Sequence, residues 1–167
     1  MTKELIAELI ESENELTLSR FLEESNRIEG FDYKPSELTL AKKFLDKEWL
    51  TVDDIIRVVG AIQPDAKLRV ESGMNVAVGN HVPPAGSVAI GYALDRIIQD
   101  VNDDIKTPYE VHCEYEELHP FTDGNGRSGR LIWLWMMQRK LGYLPKLGFL
   151  HTWYYQSLEG DRNGQLD

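Results

Sequence analysis

The 167 residues carry 18 basic and 28 acidic side chains, a formal net charge of −10, with 42% hydrophobic and 28% charged residues. That balance predicts one soluble globular domain with its own core, and it excludes a disordered chain and a broad nucleic-acid-binding surface. A single cysteine, Cys113, excludes an internal disulfide framework, and no signal peptide, membrane-spanning run or lipidation motif is visible, so a cytoplasmic protein with no membrane partner is expected.

In chain order, a short amphipathic helix is predicted over Lys3 to Glu11. A second follows in which Leu18, Phe21, Leu22 and Ile28 recur at helical spacing, with Gly30 suited to the position just past its end. Leu38, Ala41, Phe44 and Leu45 mark a third helix starting near Ser36. Thr51-Val-Asp-Asp54 resembles a capping box before Ile55, Val58, Val59 and Ile62, and Pro64 closes that helix. Lys67 to Val70 and Val76 to Val78 then read as two short strands around Glu71-Ser-Gly-Met-Asn75, a β-hairpin. Ser87 is placed to cap a helix carrying Val88, Ala89, Tyr92, Ile97, Ile98 and Val101. Thr107-Pro-Tyr-Glu110 is a capping box with proline at the first helical position, and its helix runs to about His119, where Pro120 favours a break. Leu131 to Leu141, apolar nearly all round with Trp133, Trp135, Met136 and Met137, reads as a central buried helix ended by Gly142 and Pro145. A last amphipathic helix covers Leu150 to Leu158, and the polar tail from Glu159 to Asp167 is expected to fray.

The chemistry is concentrated in His119-Pro-Phe-Thr-Asp-Gly-Asn-Gly-Arg-Ser-Gly-Arg130. Gly124 and Gly126 flank Asn125 just before the apolar run, and a glycine turn that delivers backbone N–H groups to a helix start is a site for anions, phosphates above all. Arg127 and Arg130 are three apart, share a face if both are helical, and extend that site with guanidinium groups. Asp123 would be repelled by a polyphosphate unless a cation such as Mg²⁺ lay between them. His119 can take a proton near neutral pH. Together these residues describe a nucleotide site with a general base.

Two rival patterns fail. Gly124-Asn-Gly126-Arg-Ser-Gly129 has the spacing of a dinucleotide fingerprint, but it follows a helix and lacks the acidic residue expected about 20 positions on. His112, Glu116 and His119, four and three apart on one helix face, form a donor set for a metal-dependent hydrolase. That reading lacks the H-E-x-x-H spacing and leaves the glycines and arginines unexplained, so His112 and Glu116 are expected to be supporting groups.

The stretch His119 to Arg130 resembles the signature of the Fic family, H-x-F-x-[DE]-G-N-G-R-x-x-R, with every defining position filled. The resemblance, strongest from about Leu68 to Leu158, implies an all-α Fic-like domain over residues 1–167 with a small β-hairpin flap at about 67–80 and a catalytic loop at 119–130. It implies transfer of AMP from Mg²⁺-ATP to a Ser, Thr or Tyr hydroxyl of a target protein, which docks on the flap by strand pairing. In that scheme His119 is the base, and Gly124, Asn125, Gly126, Arg127 and Arg130 bind the nucleotide. Asp123 holds the metal, and a tyrosine of the last helix, Tyr154 or Tyr155, is a candidate for the adenine pocket. Family members commonly continue with further helices.

Taken alone, Glu29 reads as a solvated surface carboxylate. Ser25-Asn-Arg-Ile-Glu29-Gly30 also matches the family's inhibitory motif, [ST]-x-x-x-E-[GN], which implies an inhibitory helix at about 15–30 whose glutamate reaches Arg130. Two other activities stay open at this stage. One is removal of AMP on the same fold, with Glu29 activating water; the other is a nucleotide-sensing or target-binding module with incidental catalysis. Target identity and oligomeric state have no sequence signal.

Overall fold

The helix that carries the long apolar run, Asn125–Leu141, passes through the centre of the molecule. Every residue from Leu131 to Met137 on it is buried, with Trp133 and Trp135 each 1% exposed. At about 1.5–3 kcal/mol for each large apolar side chain removed from water, this one helix makes a large contribution to the core. The computed structural model describes residues 2–163, and among these the fold is all-α, with seven helices and no strand. They are α1 (Lys3–Ile28), α2 (Pro35–Leu45), α3 (Val52–Ile62), α4 (Val88–Asn102), α5 (Pro108–Leu118), α6 (Asn125–Leu141) and α7 (Phe149–Asn163). Helices α1, α2, α3 and α5 all pack on α6, and α4 packs on α5. Buried tryptophan N–H groups find acceptors at the rim of this core, Trp135 at the Lys47 carbonyl and Trp133 at the Gln156 amide, both at 2.9 Å.

Two helices start on the capping boxes seen in the sequence. The Asp54 N–H donates to Thr51 Oγ1 at 3.2 Å and the Thr51 N–H to Asp54 Oδ2 at 3.0 Å. Thr107 and Glu110 repeat the exchange at 3.2 and 2.8 Å. Each such cap stabilises its helix by about 1 kcal/mol. Helix α2 starts at Pro35, where the Glu37 carboxylate accepts the Lys34 N–H at 3.3 Å.

Several boundaries differ from expectation, each for a physical reason. The two N-terminal helices are one continuous helix of 26 residues, because nothing in Ser12-Glu-Asn-Glu15 interrupts a helix. Its first three turns are solvent-exposed and it buries only Leu18, Phe21, Leu22, Ser25 and Asn26. Ser87 sits at the N-cap position of α4 but its side chain makes no capping bond. Helix α7 continues through 159–163, where fraying was expected; 164–167 lie outside the described residues.

The β-hairpin predicted over 67–80 is absent. Leu68 pairs instead with Phe121 in an isolated antiparallel bridge, flanked by Arg69 N–H to Pro120 O and Thr122 N–H to Lys67 O, both 2.9 Å. Val78 and His81 close a tight turn of their own through Gly79 and Asn80. The side chain of Arg69 accounts for the difference. It is 0% exposed, and its guanidinium donates to the carbonyls of Met74 and Pro84, which a ladder would otherwise have to satisfy from backbone N–H groups. Gly86 completes the fold-back, since a Cβ there would lie 2.6 Å from the Glu71 carbonyl and 2.7 Å from that of Met74. Among the described residues, no helix is long and apolar enough to cross a membrane.

Candidate active site

Helix α6 begins at Asn125, six residues before the apolar run, with Gly124 at its N-cap in the left-handed region (φ 79°). No side chain caps its first turn, and an uncapped helix start with its dipole is a kind of position that can take an anion. The loop that leads into it is locked by Asn125 itself. Its amide oxygen accepts the Phe121 N–H and its amide nitrogen donates to the Phe121 carbonyl, each at 2.9 Å, and the residue is 2% exposed. The Asn125 side chain is therefore a clip within the loop. Below it, the Ser128 hydroxyl lies 2.8 Å from the Gly124 carbonyl and 2.7 Å from the Tyr115 hydroxyl, tying α6 to α5. Asp123 is exposed at the loop's rim, with Oδ1 accepting the Gly124 N–H at 2.6 Å.

Arg127 and Arg130 both turn toward α1 but take different partners. Arg130 is 4% exposed; its Nε donates to the Ser25 hydroxyl at 2.8 Å, and its Nη2 to the Ser25 carbonyl at 2.9 Å and to Glu29 Oε1 at 2.7 Å. The Glu29 carboxylate also lies over Gly126, where any Cβ would collide with it. That glycine is what lets an acidic group approach the first turn of α6. Arg127 donates to Gln63 Oε1 at 2.9 Å and to Asn26 Oδ1 at 3.4 Å, and it stacks 4.2 Å over the Phe31 ring. Asn26 is in turn held by the Glu37 carboxylate at 2.6 Å.

His119 caps the C-terminus of α5 in the left-handed region (φ 47°), an uncommon conformation for a residue with a Cβ. Burial lowers its pKa from the ordinary histidine value, with Arg69 and His81 adding to the fall and Glu29 and the Glu116 backbone opposing it. The ring is thus neutral at physiological pH, the form a general base needs. Its Nδ1 is 3.9 Å from one oxygen of Glu116, and His112 Nε2 is 3.8 Å from the other. Among the described residues no three histidine, cysteine or carboxylate side chains converge to hold a metal ion, so the metal-hydrolase donor set does not assemble. His112 is packed edge-on against Phe149 and Trp153, and burial there pushes its pKa down to about 4. Glu116 is pushed up to about 7, chiefly by burial; a third of the side chain is exposed, but Oε1 is shut off from solvent.

The structure therefore brings Ser25, Glu29, Gly126 and Arg130 into direct contact, and places Gly124, Asn125 and Asp123 in the same loop. Arg127 is directed to a separate set of partners. Tyr154 and Tyr155 are 58% and 55% exposed on α7. Sequence reasoning passed over Asn26, Gln63 and Arg69. Asn26 lies inside the Ser25–Gly30 segment at a position its pattern leaves unspecified, Gln63 sits at a helix end, and Arg69 follows the apolar Leu68 as a solvent-facing strand residue would.

A model of the Fic/DOC family matches residues 49–137. The chain is 32% identical over 163 residues to a protein adenylyltransferase Fic of Nematostella vectensis, covering 86% of this chain and 36% of that protein. To the protein adenylyltransferase Fic of Drosophila erecta it is 31% identical over 144 residues, covering 74% of this chain and 26% of the relative. The chain thus spans little more than a third of these relatives at most. Among solved structures, Fic-1 from C. elegans aligns with a TM-score of 0.46 at 28% identity, over 78% of this chain and 45% of that one.

Proposed function

The chain belongs to the Fic/DOC family, and from that premise we propose that it transfers AMP from ATP to a serine, threonine or tyrosine hydroxyl of a target protein, with Glu29 restraining the transfer. The observation that carries the reading is the Glu29–Arg130 pair seated over Gly126 at the uncapped start of α6. A carboxylate there occupies the electrostatic niche of a phosphate, so nucleotide and Glu29 compete for one cation and one helix dipole.

In the transfer, the target oxygen bonds to the α-phosphorus of ATP as the bond to the bridging oxygen breaks, and pyrophosphate leaves. The hydroxyl proton passes to His119, which burial keeps neutral. The first N–H groups of α6, from Asn125 and Gly126 onward, hold phosphate oxygens, and Arg130 takes the γ-phosphate once Glu29 withdraws. Arg127 supports the β-phosphate by reorienting from Gln63. Most of the rate gain then comes from positioning and fixed electrostatics. Asp123 would hold Mg²⁺: its carboxylate is exposed, and among the described residues no donor cluster surrounds it, leaving other positions to phosphate and water oxygens, as this ion prefers. Bound there, Mg²⁺ would neutralise phosphate charge. The loop of residues 71–86 is the target-facing surface, and the half-buried thiol of Cys113 fits the reducing cytoplasm.

The test is incubation of wild type and Glu29→Gly with Mg²⁺ and ATP labelled at the α-phosphate. Label on the variant's own chain or on an added target, well above wild type, is the expected result. No label on either, with ATP shown to bind both, would overturn the transferase reading.

A further inference from the structure

Arg69 is a cation at 0% exposure with no carboxylate in ion-pair contact among the described residues. A guanidinium in such a place is costly unless its donors are filled. Here four carbonyls fill them: Nε donates to His119 at 2.7 Å, Nη2 to Leu118 at 2.9 Å, and Nη1 to Pro84 at 2.8 Å and Met74 at 3.0 Å. Two of these, Leu118 and His119, are the orphaned carbonyls at the end of α5, where the helix dipole also favours a positive charge. The main chain of Arg69 adds to the same junction, its N–H donating to Pro120 at 2.9 Å and its carbonyl accepting the Ser87 N–H at 3.0 Å. One residue thus ties together the loop of residues 71–86, the start of α4 and the backbone on both sides of His119.

We propose that Arg69 is a positioning residue for the reaction: its guanidinium holds the main chain of His119 in its left-handed conformation and locks it to the 74–84 loop, so that the base and the target-facing loop move as one unit. The proposal rests on the transferase reading only for its consequence on rate. The mechanical link itself stands on the geometry. A lysine at this position keeps the charge but has three donors for four acceptors and lacks the planar fork, so it cannot span both sides of the junction. The charged and titratable groups that face His119 are Glu116 from its own helix, Arg69, His81 from the loop, and Glu29 from the end of α1. Removing the Arg69 charge therefore raises the His119 pKa.

The experiment compares Arg69→Lys and Arg69→Met with the parent chain, each also in the Glu29→Gly background. Amide hydrogen exchange is read at 71–86 and at 118–122, the His119 titration by NMR, and AMP transfer as kcat and KM for ATP. In Arg69→Lys, exchange is expected to quicken together in both segments, and kcat to fall on the order of 10–100-fold with KM for ATP little changed. In Arg69→Met, if it folds, the His119 titration moves upward. Quickened exchange in 71–86 alone, or wild-type exchange and kcat in Arg69→Lys, would overturn the proposal. Should Glu29→Gly itself transfer no AMP, the transferase reading fails, while the exchange and titration measurements still decide the role of Arg69.

Discussion

The Glu29 carboxylate and the Arg130 guanidinium meet at 2.7 Å across a sequence separation of 101 residues, and the meeting point lies over the first turn of α6. Arg130 does not depend on Glu29 for its burial, because Ser25 alone takes two of its donors. Glu29, by contrast, has 35% of its side chain in solvent and rides just beyond the last helical residue of α1, where little else holds it. The pair is therefore easy to open from one side.

Glu29→Gly should raise AMP transfer strongly at little structural cost. If the pair stabilises the closed arrangement by about 1.4 kcal/mol, its loss corresponds to about a tenfold gain in the open population. The stability penalty should stay within about 1 kcal/mol, as for other partly exposed pairs. Label incorporation and thermal unfolding, measured on the same preparation, check both halves. A large drop in stability with no gain in transfer would mean that Glu29 is structural.

His119→Ala in the Glu29→Gly background should reduce transfer by about 10²–10⁴-fold while leaving ATP binding nearly intact, since the phosphate-binding groups proposed above are the arginines and the start of α6 rather than the histidine ring. The pH dependence carries its own sign. The reactive form is the neutral ring, and burial lowers its pKa below 6.5. The acid fall in activity of the Glu29→Gly chain should thus lie at lower pH than an ordinary histidine would give. Rates across pH 5 to 8 and nucleotide binding by calorimetry test this.

Asn125 shows what the sequence could and could not reveal. Its place between two glycines at the start of a helix is legible, and so is the loop it belongs to. That both polar atoms of its side chain are spent on Phe121 is not, because such a clip depends on the loop's path. The same limit applies to the region near Arg69. Alternating residues in Lys67–Val70 read as a strand facing a second strand, and only the folded chain reveals a buried guanidinium that draws the segment to Phe121 instead. Local signals such as the Thr51 and Thr107 caps were readable because each is complete within four residues. Asn125→Ala should accordingly cost about 2–3 kcal/mol by orphaning the Phe121 N–H and carbonyl. Urea unfolding of that variant against an exposed control such as Asn80→Ala measures the difference.

Glu116 and His112 give stability a pH dependence that is hidden in the wild type. Glu116 has a folded pKa of about 7 against an ordinary value of 4.5, so the folded state holds its proton more tightly and stability falls as pH rises from 4.5 to 7. His112 has a folded pKa of about 4 against 6.5, so the unfolded state holds the proton more tightly and stability rises from 4 to 6.5. Over most of that window the two slopes oppose each other. Glu116→Gln removes the falling one, so its stability should climb from pH 4.5 to 6.5 more steeply than that of the wild type, with the lowered His119 adding to the rise in both. At pH 8 it should exceed the wild type by about 1–2 kcal/mol, a figure reduced for the exposed third of the side chain. Urea melts of both proteins at pH 5, 6.5 and 8 decide the matter: parallel curves for the two would show that the Glu116 carboxylate is not penalised by its burial.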